Sequence, residues 1–438
     1  MITPRLPRLL LLSSHYRTAP ASSAAAVVLP LLKATCRLRS YSTNNTTTID
    51  HAAIEKDLMS RGTRITWDVM HPTNSYLLNV ALAAVLPEQC FPHHFCLPYD
   101  TTTTTTTTAA AAAAAPPPPG HDRAGNPVPR DEISVAQWFR GRAPGAASYR
   151  LPPGHHLVYF PLQLPGSSLC GDGADPFPSP GPPWTRRLWA GGSLSHLDED
   201  MLVLGLGRGG GGGMPAVCAE RVESVSVRGV PGAEKVFVEL LREYYDEDSF
   251  VRRLRPAGAR NPIVERRTLV FMRPWKPEDQ VLEENKAAAS YRFAKRRKTP
   301  TFAVTITPTQ TLLFQYSALS FNAHAIHLDR EHARNVEGHR DLLVQGPLSL
   351  TIMMAVLGAH RRVSSVTYRH IAPLYVGEPM TVCARRLDDP PEGPRLQPGN
   401  PDREKWEVWI ENPDGALCVR ASAETTRSRN PDAEKKWS

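Results

Sequence analysis

The chain has 438 residues and a formal net charge of +8. Six of those charges are Arg5, Arg8, Arg17, Lys33, Arg37 and Arg39, in a stretch with no acid, which leaves a net of two for everything that follows. The basicity sits in a tail and not on a folded face, so a nucleic-acid partner is poorly supported. No run of about 18 apolar residues occurs, so no transmembrane helix is expected.

The elements read in chain order as follows. Residues 1–41, rich in Arg, Ser, Ala and Leu, have the composition of a mitochondrial transit peptide, with "RLRSYS" at 37–42 resembling a processing site. The short apolar run at 9–12 suggests a secretory signal instead, but Pro7, Pro20 and the dispersed arginines argue against it. Residues 72–86 predict a helix. "CFPHHFC" at 90–96 brings Cys90, His93, His94 and Cys96 together, but a second ligand pair is lacking, so no metal is expected. The tract "TTTTTTTTAAAAAAAPPPP" at 101–119 is low-complexity and predicts a disordered insert over 101–135.

Residues 155–164 read as strand-like. "GLGRGG" at 205–210 satisfies a dinucleotide-binding pattern, but loop and strand follow it where a helix is required. Residues 216–229, 235–246 and 260–274 predict strands, the first two joined by a Pro-Gly turn. A charged linker spans 276–300. Then come a strand (301–308), a short helix, and "FNAHAIHLDREHA" at 321–333, with a helix from about Asp329 to Glu337 stopped by Gly338. Residues 345–360 predict a helix apolar on every face, hence buried, with Pro347 in its first turn. Alternating strands follow, with "NPDG" at 412–415 as a hairpin turn.

A long apolar helix followed by antiparallel strands implies a sheet wrapped around a helix, the hot-dog arrangement. Two halves of this kind in one chain give an α+β double hot-dog fold: a degenerate first half over 51–275 and a catalytic second half over 301–428.

"YSALSFNAHAIHLDREHA" followed by "LLVQGPL" resembles the R-specific enoyl-thioester hydratase and dehydratase superfamily. More narrowly it is similar to the mitochondrial 3-hydroxyacyl-thioester dehydratases of type 2, as are "LPPGHHLVYFP" at 151–161 and "PGPPWTRRLWAGGSL" at 180–194. The resemblance implies (3R)-3-hydroxyacyl-thioester dehydration in mitochondrial fatty-acid synthesis, in the matrix. It implies acyl carrier protein or CoA as the carrier, no cofactor, and a chain able to act as a homodimer. The superfamily motif Asp-x-Asn-Pro-x-His lays its His on His327 but its Asp on Asn322.

The chemistry needs a base for the C2 proton, an acid for the departing C3 hydroxyl and donors for the thioester oxygen. Histidine, with an ordinary pKa of about 6.5, can do the first; an amide cannot. The resemblance therefore gives proton transfer to His327 and orientation of the hydroxyl or of water to Asn322. The Gly346 N–H, at the start of the buried helix, is the oxyanion donor; otherwise Gly-Pro merely starts that helix. His324 is a structural or solvent-facing residue, or a second group near the substrate. Arg186, Arg187 and Trp189 face either a phosphopantetheine or a structural salt bridge. A partner carboxylate would come from Asp329, for which a helix cap is the plainer role, or from Asp172 or Asp175 of the first half. Two other functions stay open: a CoA hydratase for a small or branched diacid, and a non-catalytic acyl-binding protein that Asn322 keeps in view.

Overall fold

A computed structural model describes residues 50–91, 148–197, 203–205, 213–253, 262–276, 299–359, 361–387 and 403–427. The transit-like tail, the insert over 101–135, most of "CFPHHFC" and most of the glycine run and of the charged linker lie outside these residues. Cys90, which is described, is buried.

The first half comprises α1 (His51–Met59), β1 (Thr63–Met70), α2 (Pro72–Ala83), β2 (Ser148–Arg150), β3 (Arg186–Ser195), β4 (Val203–Gly205), β5 (Met214–Arg228), β6 (Lys235–Asp246), α3 (Glu247–Arg253) and β7 (Ile263–Met272). The second comprises β8 (Phe302–Ile306), α4 (Gln310–Ser320), α5 (Gly346–Gly358), β9 (Arg361–His370), β10 (Met380–Leu387), β11 (Arg403–Glu411) and β12 (Leu417–Arg427). β2 and β4 pair with each other alone.

The other ten strands form one sheet in the order β1-β5-β6-β7-β3-β9-β12-β11-β10-β8. Read inward from each edge, both halves run first strand, third, fourth, fifth, second. Every pairing is antiparallel, and the halves meet where Gly191–Leu194 of β3 pairs with Val366–Arg369 of β9. Repeated strand order about a central seam is the topology of a double hot-dog. The length of the chain suggests two globular units, but the halves share a sheet, and the described residues form one compact unit.

α5 is the helix around which the second half wraps. Leu348, Leu350, Ile352, Met353, Met354, Val356 and Leu357 are all buried, so no face is left to water. They join one core with Val363, Val382, Ile410 and Val419 of the surrounding strands. Leu350 is fully buried, so Leu350→Ala is expected to cost about 2–5 kcal/mol in chemical denaturation. A cost under about 1 kcal/mol would mean that α5 is not the packing centre of this half.

Among the described residues the first half has no counterpart of α5. The segment expected as a strand at 155–164 lies on that side, and it is a 3-10 turn, His155–Val158, followed by irregular chain. Gly154 enters the turn at φ 87 and Pro161 follows it, so the backbone cannot run straight. Leu157, Val158, Tyr159 and Phe160 are all buried; a run buried on both sides carries no period-two signature. The helix expected over 329–337 is also corrected, since it is one turn that widens into a π-helix, His332–Val336. Asp329 caps it as expected, its Oδ1 accepting from His332 N at 3.0 Å, and Gly338 turns the chain at φ 74.

Candidate active site

The site is built on the loop between α4 and α5. α4 ends as Phe321 takes a left-handed conformation (φ 52). The chain then turns back: Asn322 N donates to Ser317 O at 2.8 Å, and Asn322 Oδ1 accepts from His324 N at 3.1 Å. That Asx turn explains locally why an amide stands here. A 3-10 turn, Ala325–His327, follows.

The His327 ring is buried, with Nδ1 2.8 Å from Leu343 O. A carbonyl only accepts, so Nδ1 carries the proton and Nε2 keeps its lone pair. Burial pushes this ring down to about 3, the nearby His324 adds to the effect, and the Leu343 carbonyl opposes it. The His324 ring stands edge-on to it, with centroids 5.4 Å apart.

Gly346 is the first residue of α5, so its N–H has no acceptor within the helix. Pro347 has none to offer. A Cβ on Gly346 would lie 2.9 Å from Trp189 Cβ and 3.4 Å from His370 Cε1. Trp189 is fixed by its Nε1 donating to Tyr368 Oη at 2.9 Å, and Ser349 Oγ lies 2.9 Å from His370 Nε2.

Asn322, His324, His327, Gly346, Arg187 and Trp189 line one cavity of about 570 Å³. The first half supplies further wall from Leu157, Phe160, Leu162 and Leu240, so both halves are needed to enclose it. Arg186 is not part of this wall; its Nε donates to buried Glu337 at 3.1 Å. Arg187 lines the cavity but donates to Asp172 Oδ2 at 3.1 Å and to Asp175 O at 2.6 Å. For both arginines the salt-bridge reading describes the contacts. Asp175 is held by Arg64 through two hydrogen bonds, at 3.0 and 2.6 Å.

The sequence offers Asp172 as only one of three carboxylates, with Asp175 and Asp329, and His370 and Ser349 carry no sequence signal. Asp172 Oδ2 lies 3.4 Å from His324 Nε2. No local pattern links residues so far apart in the chain. Among the described residues no three His, Cys, Asp or Glu side chains converge as metal ligands would, and no helix is long and apolar enough to cross a membrane.

The doubled hot-dog sheet, with a family and relatives named as dehydratases and hydratases, makes this a hydro-lyase of the hot-dog class. The chain belongs to the hydroxyacyl-thioester dehydratase type 2 family, whose model matches residues 154–376, just over half of its length. It is 26% identical over 305 residues to a mesaconyl-C(4)-CoA hydratase of Chloroflexus aurantiacus, covering 67% of this chain and 93% of that one. It is 25% identical over 252 residues to the mitochondrial hydroxyacyl-thioester dehydratase type 2 of Schizosaccharomyces pombe, covering 53% and 77%. A MaoC-like dehydratase structure from Phytophthora capsici aligns over 86% of this chain and 99% of that one, at 12% identity and a TM-score of 0.46.

Proposed function

We propose that the chain is the (3R)-3-hydroxyacyl-thioester dehydratase of mitochondrial fatty-acid synthesis, acting in the matrix on acyl groups carried by acyl carrier protein or CoA. The observation that carries this reading is the convergence of His327, Asn322 and the first N–H of α5 on one cavity.

His327 Nε2 takes the C2 proton. Negative charge gathers on the thioester oxygen, where the Gly346 N–H and the positive end of α5 stabilise it. The C2–C3 double bond forms as the C3–O bond breaks, and the hydroxyl takes up a proton and leaves as water. The Asn322 amide orients that hydroxyl, or the attacking water in the reverse hydration. Proton transfer of this kind contributes on the order of 10²–10⁴ in rate.

A second reading has an observation of its own. Arg64, Arg242 and Arg267 reach the cavity wall on the first-half side, interleaved with Asp175, Glu220 and Glu265 at 2.6–2.7 Å. An ion ladder is a poor bed for a long alkyl tail and a better one for a short acyl group ending in a carboxylate. This favours a small diacid thioester, the substrate type named for the Chloroflexus relative.

One assay series separates the readings. Loss of crotonyl-CoA absorbance on hydration is expected with the full chain, and its absence at high protein concentration would remove the dehydratase reading. Comparing 3-hydroxyacyl thioesters from four to sixteen carbons with a mesaconyl thioester then decides the acyl group. A kcat/KM that rises with chain length supports fatty-acid synthesis, and a preference for the diacid supports the second reading.

A further inference from the structure

The loop that carries His327 has an amide, Asn322, where an acid–base pair needs an ionisable group, and the Oδ1 of that amide is already taken by His324 N. A buried carboxylate reaches this loop from the other half of the chain. We infer that Asp172 completes the acid–base site from the first half, as a positioning residue that acts through His324. This rests on the dehydratase reading above.

Asp172 is buried, 7% exposed, and its Oδ2 lies 3.4 Å from His324 Nε2. Its orientation is set from three sides. Oδ2 accepts from Arg187 Nε at 3.1 Å, Oδ1 accepts from Ala174 N at 3.0 Å, and its own carbonyl accepts from Ala325 N at 2.8 Å. The two loops touch closely: a Cβ on Gly173, which has φ 78, would lie 2.2 Å from Ala323 O. Asp172 therefore travels with the histidine loop.

The charged and titratable groups around His324 are Asp172, with Arg187 behind it, then His327 and buried Glu337. Burial pushes the Asp172 carboxyl up, but the His324 hydrogen bond and the Arg187 charge outweigh it and hold it below the usual carboxylate range. The carboxylate thus stays ionised beside His324.

The step closes as follows. His327 Nε2 takes the C2 proton and becomes the imidazolium. The electron pair forms the C2–C3 double bond, and the C3–O bond breaks. His324, whose Nε2 faces Asp172 Oδ2 at 3.4 Å, gives a proton to the departing oxygen, which leaves as water. Water then carries the proton from His327 back to His324, so both rings end as they began. Asp172 fixes the His324 ring, much as a buried aspartate orients a catalytic histidine elsewhere.

The test uses the full chain and crotonyl-CoA hydration, with wild type, His327→Ala, Asp172→Asn and Asp172→Glu, each checked for melting temperature. Asp172→Asn is expected to lower kcat about 100-fold with KM within about twofold. It should also move the acid limb of the kcat profile to lower pH, because His324, which takes the proton from the attacking water in hydration, loses the negative charge beside it. Asp172→Glu should recover at least part of kcat and return the limb. A kcat loss with an unmoved limb would mean a structural salt bridge only, and overturns the inference. So does an Asp172→Asn enzyme that matches wild type while His327→Ala is inactive. An inactive wild type removes the dehydratase reading and this inference with it, and that outcome is recognised before any variant is compared.

Discussion

His327→Ala is expected to lower crotonyl-CoA hydration by about 10²–10⁴-fold while the chain still folds. The ring's Nδ1 is committed to Leu343 O, so Nε2 is the basic atom the site offers. Substitution removes that atom and leaves the Leu343 carbonyl without its donor, a structural cost of about 1–3 kcal/mol. His327→Gln is the sharper control, since its amide can still donate to Leu343 O yet cannot take a proton at neutral pH. Both variants should lose turnover alike, the glutamine variant with the smaller stability loss.

The pH profile adds a second constraint. Burial holds His327 near 3, so the ring is neutral and able to act as base throughout pH 5–8. For dehydration, kcat/KM should then show no acid limb near the ordinary histidine value of about 6.5. A limb at 6.5 that disappears in the His327 variants would mean the ring meets water in the working enzyme.

How far the sequence reaches can be judged from particular residues. α5 is legible because seven apolar side chains spread round a helix admit only a buried place. His327 is legible because the motif spacing is local, and so is the Asp329 cap. Asn322 is legible as a departure, while its Asx turn emerges only from the backbone geometry. The seam between β3 and β9 is not legible, because nothing in either strand marks the other as its partner. Asp172 fails for the same reason: it meets His324 because two loops from different halves pack together, and such contacts leave no period in the sequence. Residues 155–164 mislead because an apolar run that is buried on all sides looks the same whether extended or turned.

Acid should unfold this protein well above the range where its carboxylates titrate. Four buried rings lie below the ordinary histidine value, all chiefly through burial: His155 and His327 at about 3, His156 and His370 at about 4. In the unfolded chain each returns to about 6.5. A depressed folded value means that the unfolded state binds the proton first, so the stability these rings contribute is intact above pH 6.5 and is lost as pH falls toward 3–4. With four sites, the slope near pH 5 approaches about 5 kcal/mol per pH unit. Between pH 7.5 and 5.5 the loss comes to about 5 kcal/mol, against a total of about 5–15 kcal/mol for a typical fold. Asp172 and Glu265 are also lowered, against burial, by their Arg and His neighbours, but they add to the loss only below about pH 4. Glu337 is raised by burial and works the other way, as a single group against four. Guanidinium melts at pH 7.5, 6.5 and 5.5 should show the loss directly, and His327→Gln should reduce it by about a quarter, or about 1.4 kcal/mol. A change under about 1 kcal/mol across that range would mean that these rings accept protons in the folded state, and the enclosed site argued for His327 would have to be given up.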